Sequence, residues 1–247
     1  MIRQLKPIGT FSEKKAKKYF RWGLLCLVLF VLLMLTSIPL LPFYIDLGRY
    51  EVNRGFLMGA FSTLGLFFIM LPYRTYKSGL NGERKVVKNI SDKLSHDYSI
   101  FNDVLLKDGK RSGNVDHIIV GPTGIFVMET KNNEGTVTFD GYNWKGSISG
   151  NPSWQTVSNM FRVKDILKDC EVFKNKDLYL NAVLLFTNSK ISLKVSSDPK
   201  YCKVLQIRKL TDPYLSDYIK NEPIRFSDEE VASIEKILEA RIGNYDE

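Results

Sequence analysis

The sequence predicts an α/β domain with a central β-sheet covered on both faces, preceded by two transmembrane α-helices. Three observations carry that expectation. Two long runs near the start contain no charged side chain, and two strand-like runs in the middle are apolar on both faces. A C-terminal stretch has the capping residues and apolar spacing of an amphipathic helix. At 247 residues the chain has room for one sizeable core besides a membrane segment.

The first uncharged run, Trp22 to Ile45, has 24 residues. At about 1.5 Å rise per residue, a helix of that length exceeds the roughly 30 Å hydrocarbon core of a bilayer. Pro39 and Pro42 should kink or end it near the far interface. The second run, Gly55 to Tyr73, has 19 residues, and Trp22, Tyr44 and Tyr73 stand at the edges as interfacial anchors. Buried core helices rarely lack charge for so long, and a cleaved signal peptide would not be followed by a second span. The tail before the first run carries Arg3, Lys6, Lys14, Lys15, Lys17, Lys18 and Arg21 against Glu13 alone, while the connector 46–54 is balanced. Arg74, Lys77, Arg84, Lys85 and Lys88 follow the second run. The positive-inside rule then puts both termini in the cytoplasm, as two crossings require. The expected organisation is a basic cytoplasmic tail (1–21), a transmembrane hairpin (22–45 and 55–73), a hinge (74–81) and a cytoplasmic domain (82–247).

Within that domain a helix is expected near 82–95, with Val86, Val87, Ile90 and Leu94 at helical spacing. Strands follow near 98–106, 114–121 and 124–131; the last two, apolar on both faces, should be central. Runs 135–139 and 142–148 read as a hairpin through Asp140-Gly141, then a helix near 153–170 and strands at 178–187 and 202–208. The last helix, 228–241, opens with Ser227 and Glu230 in capping-box spacing and buries Val231, Ile234, Ile237 and Leu238.

The net charge of +8 invites a nucleic-acid reading, but its location argues otherwise. Residues 1–73 hold nine basic and three acidic side chains, whereas 74–247 hold 26 and 24. Most of the excess belongs to membrane topology. Cys26, Cys170 and Cys202 are odd in number and form no CxxC, which excludes a disulfide framework or a zinc knuckle.

The chemistry concentrates in 114–131. If Gly121 and Gly124 pair across Pro122-Thr123, Asp116 opposes Glu129 and Asn114 opposes Lys131. Opposed residues share a face with Cβ atoms about 4.5–5.5 Å apart, so two acids there destabilise the sheet unless something neutralises them. A divalent cation does so, since Mg²⁺ takes one or two carboxylates plus waters and substrate phosphates. Lys131, on the same face as Glu129, could hold an attacking water or offset charge building on phosphorus. A bulge at Gly124 would shift the register by one residue and spoil the facing. On an exposed face the same residues would be ordinary solvated charges.

Gly79-Leu-Asn-Gly82-Glu83, the segment Asp116-His117 through Gly124 to Glu129-Thr-Lys131, Trp144, and Asn151-Pro152-Ser-Trp-Gln155 together resemble the nuclease-related domain (NERD) family over roughly 78–190. The resemblance implies a restriction-endonuclease-like PD-(D/E)xK fold, a central mixed β-sheet flanked by helices, and metal-dependent phosphodiester cleavage. By position it makes Asp116 and Glu129 ligands of Mg²⁺ (or Mn²⁺) and Lys131 the catalytic lysine. Glu83 would be an accessory acid, and Gln155 would place substrate or water. Bacterial members often carry membrane helices, so the bacterial cytoplasmic (inner) membrane is the expected location.

Other residues carry weaker signals. His117 faces away from Asp116 and reads as a core residue, and His96 as a surface one. No GxSxG, P-loop or dinucleotide signature is present. Trp144 and Trp154 could stack on bases, although buried aromatics are commoner. The sequence thus favours a membrane-anchored, Mg²⁺-dependent endonuclease acting on DNA, with RNA as the lesser substrate. Two alternatives stand: a catalytically silent, membrane-tethered nucleic-acid-binding or sensing module, and a structural membrane protein whose acids and lysine form an ordinary ion pair.

Overall fold

The computed structural model describes residues 1–35, 51–108 and 111–242. The later part of the first expected span, with Pro39, Pro42 and Tyr44, and the connector as far as residue 50 lie outside the described residues. The chain divides into two compact units, Phe11–Ser78 and a larger one formed by Met1–Thr10 together with Gly79–Glu247.

The smaller unit is helical. Strand β1 (Arg3–Gln4) precedes α1 (Thr10–Leu35); α2 (Glu51–Phe68) runs into one turn of π-helix (Ile69–Tyr73) and then α3 (Arg74–Ile90). Two stretches, Glu13–Leu35 and Gly55–Ile90, are long and apolar enough to cross a membrane. Only 11% and 6% of their apolar windows are buried, which is unlike the core helix of a soluble domain. Helices α1 and α2 approach closely at two glycines: a Cβ on Gly65 would lie 3.0 Å from the Gly23 carbonyl oxygen. Tyr19 stacks on Tyr76 with ring centroids 5.6 Å apart. Pro72 lies inside the π turn, where a register of wider hydrogen bonds absorbs its missing N–H. Residues 74–81, expected as a hinge, are therefore helical.

The larger unit continues with β2 (Ser99–Asp108), β3 (Arg111–Gly121), β4 (Gly124–Lys131), β5 (Gly135–Phe139), β6 (Trp144–Gly146), α4 (Pro152–Lys168) and β7 (Leu180–Phe186). It ends with β8 (Ile191–Val195), β9 (Cys202–Gln206), α5 (Tyr214–Lys220) and α6 (Asp228–Arg241). Six strands form a mixed central sheet in the order β1-β2-β3-β4-β7-β9, and β6-β5-β8 form a small second sheet. The β2-β3-β4 meander is antiparallel, whereas β1, β7 and β9 join their neighbours in parallel.

Alternation along the strands sends side chains into two cores. One contains Ile118, Val120, Ile125 and Val127 with Met160 and Val163 of α4 and Val231, Ile234 and Leu238 of α6. The other contains Ile119, Phe126 and Met128 with Val86, Val87 and Ile90 of α3 and Leu215 and Ile219 of α5. The sheet is thus covered on both faces, as its strands' unbroken apolar runs require. Helix α6 begins with both bonds of the capping box, Glu230 N–H to Ser227 Oγ at 3.3 Å and Ser227 N–H to Glu230 Oε2 at 2.9 Å.

Three elements had no strong sequence signal. Strand β8 is a half-exposed run of five residues, and α5 is only seven residues long. The third is β1. The first residues, expected as part of a basic tail, pair in parallel with Ser99 and Ile100 and bury Ile2. Arg3 donates to Glu235 of α6, and the Lys6 ammonium donates to the Asp103 carbonyl at 2.5 Å.

Candidate active site

The meander places the site. Gly121 pairs with Gly124, and the ladder runs back through Val120–Ile125 to His117–Met128, with no bulge. This register is the one that sets Asp116 opposite Glu129. Gly124 has φ +144°, open to glycine and strained for other residues. The Pro122 carbonyl of the turn accepts N–H bonds from Arg225 and Phe226, at 2.7 and 3.1 Å, which pin the hairpin to the chain before α6.

Beyond Met128 the ladder stops, and the reason is Asp116. Its Oδ2 accepts the Thr130 N–H at 2.7 Å, so a side chain takes the donor that a strand neighbour would otherwise use. On the other side of β3 the register with β2 skips Asp103, whose φ of +50° is unusual for a non-glycine residue. Strand β3 therefore opens at Asp116 on both sides.

All five residues singled out in the sequence meet at this opening. Glu129 and Lys131 share a face of β4, and Lys131 Nζ donates to Glu129 Oε1 at 2.7 Å. Gln155, in the first turn of α4, accepts from Lys131 Nζ at 3.3 Å and also hydrogen-bonds to Glu129. Glu83 is buried on α3 and close enough for its charge to act on Asp116. Gly82 brings it there: a Cβ at that position would stand 2.9 Å from Asn132 Cβ and from Thr187 Oγ1.

The electrostatics follow from burial. Asp116 is half-buried as a residue, but its carboxyl is enclosed; desolvation first, then the charges of Glu129 and Glu83, push its pKa well above the carboxylate range. The Thr130 N–H and Lys131 oppose that shift. Desolvation also raises Glu129, against Lys131 and Gln155. Glu129 Oε2 is buried and has no hydrogen-bond partner among the described residues. Acids so placed want a cation beyond the one lysine. Among the described residues no three His, Cys, Asp or Glu side chains form a ready-made ligand group. The set on offer is a pair of carboxylates, which suits Mg²⁺ or Mn²⁺ completed by waters and phosphate rather than Zn²⁺.

The histidines separate as expected. His117 is fully buried, donates through Nδ1–H to Asn102 Oδ1 at 2.8 Å, and is pushed down to about 3 by burial. His96 lies beside Asp97 on the surface. Sequence reasoning missed two polar residues of α4. Asn159 Nδ2 donates to the Asn114 carbonyl at 3.0 Å, and the Arg162 guanidinium occupies the space over Gly113 that a Cβ would fill. With Gln155 they fall at i, i+4 and i+7, one stripe along the helix. That spacing was visible in the sequence, but nothing marked the stripe as facing the sheet rather than solvent.

Residues 78–187 match the family model of the nuclease-related domain, NERD. The match runs from within α3 to the end of β7 and includes every residue of the cluster. No curated protein and no solved structure matches the chain.

Proposed function

We propose that this protein is a membrane-anchored, divalent-metal-dependent nuclease that hydrolyses phosphodiester bonds in DNA at the cytoplasmic face of the bacterial membrane. The observation that carries the reading is the convergence of Asp116, Glu129 and Lys131 at the opening in β3, inside the matched nuclease-related region. Asp116 and Glu129 would hold Mg²⁺ or Mn²⁺, which when bound lowers the pKa of a water and draws charge from the phosphoryl oxygens.

The chain's own residues do the rest. Lys131 carries three donors on a partly enclosed ammonium, held by Glu129 and by the Gln155 amide. With a phosphodiester in place, it aims a donor at the attacking water or at a non-bridging oxygen. The water oxygen forms the new P–O bond and gives up a proton to solvent, the opposite P–O bond breaks, and the leaving oxygen takes a proton from solvent. Gln155 keeps the ammonium in place, and Glu83 adds negative charge beside Asp116, which strengthens cation binding. The apolar faces around the cluster lower the local dielectric and raise the worth of each charge.

The anchor rests on the two exposed apolar helices. Strand β1 gives their topology an independent argument. Residues before α1 pair with residues after α3 in one sheet, so the chain leaves and re-enters the same folded unit. If the helices cross a bilayer, both termini lie on one side, as the charge pattern also requires. The 2.7 Å Lys131–Glu129 ion pair favours the structural alternative, in which acids and lysine form an ordinary ion pair, although Glu129 Oε2 and the Asp116 carboxyl lie outside that bond.

The test is cleavage by the full-length protein in detergent, on plasmid and single-stranded DNA with Mg²⁺, Mn²⁺ or EDTA. Metal-dependent nicking that is lost in Asp116→Ala and Lys131→Ala is expected. No cleavage, or variants that cleave like the parent, would refute the reading.

A further inference from the structure

We infer that a cavity at the N-terminal end of α4 is a stacking subsite for an unpaired nucleobase, so that the substrate class is single-stranded or locally unpaired nucleic acid. The inference rests on the nuclease reading for the kind of ligand and on separate residues for the site. The cavity has a volume of about 370 Å³, and its walls include Phe139, Tyr142, Asn151, Trp154, Lys200 and Tyr201. That is the lower end of ligand-sized pockets.

Its aromatic walls are turned outward. Tyr142, Trp154 and Tyr201 are 87%, 70% and 65% exposed. One exposed ring needs no explanation, but three around one cavity, from three separate segments, do. Each is fixed locally. The Asp140 carboxylate accepts the N–H groups of Tyr142 and Asn143 at 3.0 and 2.8 Å, which sets the turn carrying Tyr142. Asn151 caps α4 by accepting the Trp154 N–H at 3.0 Å. Tyr201 holds φ +62°, sparsely populated for a non-glycine residue, with Lys200 Nζ 4.9 Å from its ring centroid. A backbone fixed at each position leaves only side-chain rotation to be lost when a flat ligand arrives.

Trp144 supplies the contrast. Its ring packs 4.9 Å from Phe139 and 5.8 Å from Phe186, and its Nε1 donates to Ser153 Oγ at 3.0 Å. It belongs to the core, whereas Trp154 does not.

The chemistry of the walls selects the ligand. Trp154 immediately precedes Gln155, whose Oε1 accepts from Lys131, and both lie in the first turn of α4. Consecutive residues point about 100° apart round a helix, so a strand with one base against Trp154 must pass round that turn to bring a phosphodiester to the lysine. Bases stack on aromatic rings without regard to sequence, and Lys200 adds charge complementary to phosphate. In a duplex the base faces are already covered, so only an unpaired base can enter. Stacking on a ring favours no particular base, so sequence preference should be weak.

The experiment measures binding in EDTA by the full-length protein in detergent, using fluorescently labelled oligothymidylate of about 20 nucleotides and a duplex of equal length. Trp154→Ala should weaken the single strand roughly 10- to 100-fold, Tyr142→Ala should weaken it less, and Trp154→Phe should restore it. Duplex affinity should stay at the parent's level. An unchanged single-strand affinity in Trp154→Ala, or an equal loss on duplex, overturns the subsite. Cleavage in Mg²⁺ is scored separately. A parent that cleaves while Trp154→Ala binds normally sinks the subsite and leaves the nuclease standing. Binding that needs Trp154 in a protein that never cleaves does the reverse.

Discussion

Two glycines of one helix should respond in opposite ways to the same added methyl group. Gly79 and Gly82 both lie in α3, and a Cβ at Gly79 meets nothing within 4 Å. At Gly82 it would sit 2.9 Å from Asn132 Cβ, 2.9 Å from Thr187 Oγ1 and 3.2 Å from Thr130 Cγ2. Non-bonded carbons prefer about 3.5–4.0 Å, so Gly82→Ala pushes the helix and the sheet end apart by roughly 0.6–1 Å. Overpacking of this kind costs about 1–3 kcal/mol, set against about 1 kcal/mol of helix propensity that either alanine gains. Gly79→Ala receives only the gain. The two variants should therefore differ by about 1–3 kcal/mol, with Gly82→Ala the weaker, at roughly 2–4 °C of melting temperature per kcal/mol for a domain of this size. The displacement also carries Glu83, the next residue, away from Asp116. Misplacement of about 1 Å typically lowers turnover by about 100-fold. Melting curves and Mg²⁺-dependent cleavage of both variants in detergent provide the assay. If Gly82→Ala melts at or above Gly79→Ala, or cleaves like it, then α3 is not held against the sheet end by that glycine and the placement of Glu83 is wrong.

Asp116→Asn should stabilise the metal-free protein. Burial and the neighbouring acids raise the Asp116 pKa, so the folded chain keeps a proton that the unfolded chain releases near pH 3.9. Stability therefore falls as pH climbs from the ordinary carboxylate range towards the raised folded value. Asparagine keeps an acceptor for the Thr130 N–H and carries no charge. Denaturant curves at several pH values in EDTA should converge near pH 4 and separate by neutrality, the variant the more stable; parallel curves would refute the assignment. Added Mg²⁺ should raise the melting temperature of the parent and not of the variant. Ser227→Ala removes the hydroxyl of the capping box and should lower stability by about 1 kcal/mol, while Ser227→Asp, which can still cap, should not; equal melting of all three proteins would discount the cap.

What could be read in the sequence was what depends on periodicity and on paired turns. The β3–β4 register followed from Gly121 and Gly124 bracketing a two-residue turn, and with it came the facing of Asp116 and Glu129. The two cores followed from strands apolar on both faces. The interruption of the ladder at Asp116 was not visible, because it arises when a side chain competes with the backbone for the Thr130 N–H. Nor was β1, since two residues of strand carry no periodicity; the strand exists because β2 offers an open edge and Glu235 a partner for Arg3. Trp144 and Trp154 looked alike as letters. Only the neighbours, Phe139 and Phe186 for the first and an open cavity for the second, separate them.

The recruitment of β1 also moves charge between the two units without changing the balance of the larger one. The sequence split at residue 74 leaves 26 basic and 24 acidic residues in the domain. Arg3 and Lys6 belong with the folded unit, while Arg74 and Lys77 fall in the helical one, so the domain remains at 26 and 24. Arg3 and Lys6 are engaged, with Glu235 and with the Asp103 carbonyl, and are poorly placed to serve lipid or DNA. Lys14, Lys15, Lys17, Lys18 and Arg21 lie together on α1 before its apolar stretch, where the proposed anchor would set them beside lipid headgroups. A nearly neutral domain gains little from long-range attraction to a polyanion. Whatever holds a phosphodiester at Asp116 must act over a few ångströms: Lys131, a bound cation and, on the inference above, a ring for the base. Binding carried by stacking and one or two charges should fall only gently with salt, whereas a basic patch would produce a steep dependence. A salt titration of single-strand binding by the full-length protein separates the two; a steep slope would show that the main phosphate contacts lie elsewhere on the chain.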